Sequence, residues 1–136
     1  MLPPGETWQP ATDHVFLVSQ MGRGPGSKTG LNGRVAPLPV TLAAGVRHRF
    51  RFINISVEDD AEFKLRSDTS SDASLVTWRA VAKDGADLHR DRATTRPAML
   101  RIAPGETYDY ELTLAPGSYR LSVKTFNDFS VTIHAR

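Results

Sequence analysis

The strongest constraint in this chain is a hydrophobic period of two. His48-Arg49-Phe50-Arg51-Phe52 alternates, with His48 on the face of Phe50 and Phe52 and the arginines opposite. Tyr108, Tyr110, Leu112 and Leu114 share one face, and Asp109, Glu111 and Thr113 share the other. Tyr119, Leu121 and Val123 alternate with Arg120, Ser122 and Lys124, and Phe129, Val131 and Ile133 alternate with Ser130, Thr132 and His134. Successive side chains of a strand point to opposite faces, so these runs predict half-buried strands. Further strands are expected at Val15–Val18, Val40–Leu42, Ala61–Arg66, Leu75–Ala82 and Ala98–Ile102. Ala44-Gly45, Asp84-Gly85, Pro104-Gly105, Pro116-Gly117 and Asn127-Asp128 supply the turns between them. No segment carries a helical period, and only residues 69–74 leave room for a single helical turn. Eight or nine short strands broken in this way predict an all-β, antiparallel Greek-key sandwich. Phe50, Phe52, Leu112, Leu121, Val123 and Ile133 are its expected common core. Gly117-Ser118 leads into Tyr119 as the lead-in to a tyrosine corner does.

The 136 residues are read as one domain, 1–136, with residues 1–12 as a linker or N-terminal arm. Seventeen basic and 15 acidic residues leave a formal charge of only +2, which gives no basis for a nucleic-acid or membrane partner. There is no cysteine, hence no disulfide, no thiolate nucleophile and no zinc-thiolate site. No apolar run approaches the ~18 residues of a membrane span. Met1-Leu-Pro-Pro-Gly5 lacks the charged and apolar regions of a signal peptide, so an export signal would have to lie outside this sequence.

Several short motifs invite chemistry that their context withholds. Gly22-Arg-Gly-Pro-Gly-Ser-Lys-Thr-Gly30 is close to a phosphate-binding loop, but Ser27 stands where the last glycine belongs and Pro25 removes an N–H. Asn32-Gly33, Pro37 and Pro39 follow where a helix is required, so residues 22–30 are expected to be a mobile surface loop closed by Leu31-Asn-Gly-Arg34. Glu58-Asp59-Asp60 with Glu62 lacks the ligand spacing and glycine of a calcium loop. Asp84 and Asp87 read as turn residues. Asn54-Ile55-Ser56 matches a glycosylation sequon, and no nucleophile elbow accompanies any serine.

Four segments, in order, carry a family resemblance. They are Leu31-Asn-Gly33; Gly45-Val-Arg-His-Arg-Phe-Arg-Phe-Ile-Asn54; Val81-Ala-Lys-Asp-Gly85; and Ile102-Ala-Pro-Gly-Glu-Thr-Tyr-Asp109. Together they resemble the NG, G-x-x-x-R-x-R-x-x-N, DG and APG-x-x-Y-D segments of multicopper oxidases, over roughly residues 30 to 125. The resemblance implies a cupredoxin-like (plastocyanin-like) β-sandwich, most like the copper-free middle domain of a three-domain member. It makes the Pro3-Pro4 segment the remnant of a linker and implies a periplasmic or extracellular location. It also implies copper in the parent family. In that family, the strand after P-G-T-Y carries His-Cys-His. Here Pro116-Gly-Ser-Tyr119 matches the lead-in, and Ser122, Val123 and Lys124 stand at the ligand positions. A blue-copper centre needs two histidines and a cysteine, so no cofactor is expected in this chain.

His14, His48, His89 and His134 are the remaining candidate metal ligands, though no two have the spacing that one strand or helix would need. The ordinary reading of His48 is a partly buried imidazole with one hydrogen bond. Arg47, Arg49, Arg51 and Arg101 are the candidate interface residues, since arginine suits interfaces and carboxylate pairing; the alternative is a solvated sheet face. The resulting expectation is a structural or interaction domain, not itself an enzyme, that docks other cupredoxin domains or a second copy. A self-standing binding module for protein or carbohydrate, and a reduced enzyme built on a new histidine site, are the alternatives.

Overall fold

A computed structural model describes residues 5–68 and 74–136; Pro3, Pro4 and the stretch 69–73, where a helical turn had room, lie outside the described residues. Twelve strands form among them: β1 (Asp13–Met21), β2 (Lys28–Leu31), β3 (Val40–Leu42), β4 (Arg47–Asn54), β5 (Ala61–Ser67), β6 (Thr77–Lys83), β7 (Ala86–Asp87), β8 (Thr95–Pro97), β9 (Met99–Ile102), β10 (Thr107–Thr113), β11 (Gly117–Lys124) and β12 (Asp128–Ala135). The excess over eight or nine is in the short pieces β2, β7 and β8, which have no alternation to betray them. One sheet runs β2-β1-β4-β10-β6-β7, with β8 also paired to β6; the other runs β3-β12-β11-β5-β9. The sheets are mixed, not purely antiparallel: β1 runs parallel to β4, and β3 parallel to β12. Hairpin turns mark only sequence-adjacent pairs, whereas here the chain leaves the first sheet to form β3 in the second and returns as β4. A parallel pairing needs such a crossover and leaves no local signal.

All six expected core side chains face the interior between the sheets and are buried. Phe52 is at the centre. Its ring lies 4.6 Å from that of Phe63, 5.3 Å from Phe16 and 5.4 Å from Trp78, so both sheets meet at this side chain. Aromatic rings at these separations add to the stabilisation from burial alone. The Tyr119 hydroxyl donates to the Ala115 carbonyl at 2.9 Å, closing the tyrosine corner over the turn that enters β11.

The glycine-rich stretch is shorter than expected. Lys28 and Thr29 open a strand, not a helix, so the loop is confined to residues 22–27 and the phosphate-loop geometry does not form. Asn32 then adopts a left-handed conformation (φ 50°). Its side chain accepts from Leu17 N–H and donates to the Val15 carbonyl, so it continues along β1 the ladder that β2 has stopped supplying. Asn127 does the same across sheets, accepting from Thr29 N–H at 2.9 Å. Asn54 is fully buried, and its Nδ2 donates to the Asp59 and Ile102 carbonyls. The sequon asparagine therefore fixes a loop and offers no exposed amide.

Candidate functional site

The outer face of the first sheet gathers the arginines that the sequence singles out. β4 presents Arg47, Arg49 and Arg51 outward because Phe50 and Phe52 must point in. On the neighbouring strand, Asp109 lies opposite Arg51, and Glu111 lies opposite Arg49. Asp109 is only 5% exposed. Its carboxylate accepts from Arg51 Nε at 3.0 Å and from Arg49 Nε at 2.9 Å. Such charge-assisted pairs are strong where water is excluded. A register shift between Asp109 and Tyr110 marks a β-bulge and sets buried Ala82 opposite Asp109 on β6. Arg49 has a second partner: its Nη1 meets Glu6 Oε2 of the N-terminal arm at 2.8 Å. Burial is the largest influence on the Arg49 guanidinium and works to lower its pKa; Asp109 and Glu6 together outweigh it and hold the pKa above the usual value.

The candidate interface residues thus divide. Arg51 is committed to Asp109, and Arg49 to Asp109 and Glu6. Arg47 is exposed and has no ion pair among the described residues. Arg101 stands on β9 in the other sheet, bonded to Asp60 at 3.0 Å, so it is not part of this face. Two clefts of about 300 and 290 Å³ open beside the face, and both are lined by Arg47 and Glu111. The first runs beneath the arm, past Glu6 and His48. The second is bounded by Trp78, Arg79 and Thr95. Glu6 was not legible beforehand, because an exposed arm has no period that would link it to a residue 43 positions away.

Two of the four histidines converge. His14 lies beside His48 because β1 and β4 run parallel with His14 opposite Phe50. His48 is 1% exposed and uses both ring nitrogens, which corrects the expectation of a partly buried ring with one bond. Its Nε2–H donates to the Ala43 carbonyl at 2.8 Å, leaving Nδ1 to accept from His14 Nε2–H at 3.0 Å. Burial, and then the neighbouring His48, push the His14 pKa below its ordinary value; Asp13 opposes them. His89 is elsewhere, on the surface against Asp91, and His134 is half-buried in β12. Among the described residues, no three His, Cys, Asp or Glu side chains stand close enough to hold a metal ion.

At the positions that the resemblance assigns to copper ligands, Val123 is buried in the core, Ser122 is half-buried and Lys124 is exposed on β11. A valine side chain has no donor atom, and a lysine ammonium repels a cation. A blue-copper site does not fit these residues.

Neither a family model nor a curated protein matches the sequence. Solved structures do match the architecture. A blue copper oxidase from Nitrosomonas europaea aligns over 96% of this chain and 47% of its own, at 19% identity and a TM-score of 0.64. The multicopper oxidase McoA from Aquifex aeolicus, as its 2F4 variant, aligns over 93% and 32%, at 14% identity and a TM-score of 0.71. A copper-containing nitrite reductase from Thermus scotoductus aligns over 94% and 31%, at 12% identity and a TM-score of 0.69. The fold is the cupredoxin-like one that these copper proteins share. This cupredoxin-like chain spans less than half the length of each of these proteins. At these identities, the likeness establishes the architecture and leaves the chemistry to the residues.

Proposed function

We propose that this chain is a copper-free cupredoxin-like domain that docks against metal-bearing cupredoxin domains, in the same protein or in a second subunit. The observation that carries the reading is a mismatch. Almost the whole chain superposes on part of much longer copper proteins, while Ser122, Val123 and Lys124 occupy the ligand strand and no cysteine is present. A domain that keeps the scaffold without the ligands serves by its surfaces. Periplasmic or extracellular residence goes with the same reading.

Cross-linking in the native cell, followed by mass spectrometry, tests the docking role. Lys28, Lys64, Lys83 and Lys124 are spread over both sheets and offer reactive amines on several faces. The expected cross-links join them to a polypeptide, or to a further stretch of the same one, that carries H-x-H and H-C-H motifs. Cross-links only to proteins without such motifs would contradict the reading and favour a self-standing binding module.

A further inference from the structure

We propose that the cleft around Arg47 receives an extended acidic segment of a partner protein, and that Glu6 of the N-terminal arm is a built-in stand-in for it. The inference rests on the docking reading and adds the surface, the chemistry of the partner and a competitor within the chain.

Four guanidinium groups share this face, and they are unequally engaged. Arg51 faces the buried Asp109 with Nε and Nη2. Arg79 donates to the Ala93 carbonyl and stands 3.6 Å from Glu111. Arg49 turns one edge to Asp109 and offers the other, Nη1, outward, where Glu6 takes it. Arg47 is exposed, has no ion pair among the described residues, and lines both clefts. The position beside Arg49 therefore already holds a carboxylate, while the one beside Arg47 is open.

The stand-in is weakly held. The Glu6 side chain is 39% exposed, and residues 5 to 11 are exposed throughout. The arm's other anchor is a turn in which Gln9 N–H donates to Asp13 and Asp13 N–H donates to the Gln9 carbonyl. An ion pair exposed on its Glu6 side is weakly held, so a second carboxylate can displace it. With Glu6 withdrawn, Arg47 and the outer edge of Arg49 are two cations without dedicated partners. They lie two residues apart on one strand face, a separation of roughly 7 Å. An extended peptide repeats its own side chains at the same interval, so acidic residues at positions i and i+2 meet both. Glu111 lines both clefts and Asp13 the first, so the open cations form a short pair and not the continuous basic track that a nucleic acid would need.

The test is fluorescence anisotropy of a labelled synthetic peptide bearing two glutamates two residues apart, titrated with the full chain. Expected are saturable binding that weakens with added salt and no binding of the glutamine counterpart. Glu6→Gln is expected to tighten binding about threefold by removing the internal competitor. Arg47→Glu should weaken it about fivefold or more. Both positions are exposed, so circular dichroism of the variants should match the parent; Arg47→Gln gives a milder second reading. Equal affinity of the parent and Glu6→Gln, or indifference to both Arg47 variants, would overturn the proposal and leave the arm as a fixed strap. These outcomes are separate from the cross-linking result: a copper-protein partner held through another face would leave the docking reading intact while this inference failed.

Discussion

At the scale of single residues, Asp109 and His14 carry consequences that the sequence alone hides. Asp109 is a buried anion between two half-buried cations, so removing it strands both guanidinium groups. Asp109→Ala should lower the unfolding free energy by about 3–5 kcal/mol, read from urea melts, because breaking a buried pair leaves charge without compensation. A change below about 1 kcal/mol, typical of an exposed pair, would show that water screens this cluster. His14 gives a pH dependence of defined sign. Its folded-state pKa lies below the ordinary 6.5. Above 6.5 neither state is protonated, and its contribution to stability is complete. As the pH falls below 6.5, the unfolded chain takes a proton that the folded chain resists, so stability declines until the lowered pKa is reached. The urea midpoint should therefore be lower at pH 5 than at pH 7.5, and His14→Gln should reduce that drop. An unchanged drop in the variant would assign the acid sensitivity to other groups.

At the scale of elements, the long strands were legible and the joints between them were not. Phe50 and Phe52 alternate with Arg49 and Arg51, so β4 and its inward face could be read directly. β2 could not, since Lys28-Thr29-Gly30-Leu31 has no alternation and is held by Asn127 from the other sheet. The four segments behind the family resemblance now have a physical meaning. Asn32 continues the β1 ladder, and Asn54 ties the β4–β5 loop. Asp84 accepts from Thr107 N–H, and Arg49 and Arg51 clamp Asp109. Each of these residues fixes the fold, and none of their bonds involves Ser122, Val123 or Lys124. The convergence of His14 with His48 was not legible, because it depends on the parallel β1–β4 pairing. Two substitutions check the joints. Tyr119→Phe should cost about 1 kcal/mol through the lost corner bond. Gly30→Ala should cost more, because a Cβ there would stand 2.7 Å from the Arg34 carbonyl oxygen. Comparable melts for Gly30→Ala and the parent would mean that the Leu31–Arg34 turn yields easily.

At the scale of the whole molecule, a cupredoxin-like fold carries Ser122, Val123 and Lys124 at the positions that the family resemblance assigns to copper ligands. The blue colour of such centres arises from a copper-thiolate bond, and this chain has no thiolate. Surface imidazoles such as His89 still attract Cu(II), which stands highest in divalent affinity, but they hold it singly and weakly. The direct measurement is copper content after loading the purified chain with Cu(II) and washing with a mild chelator, taken together with its visible spectrum and its rate of phenol oxidation. A copper-free domain should show substoichiometric copper, no intense blue band and no turnover. One chelator-resistant copper per chain, with oxidase activity, would contradict that reading.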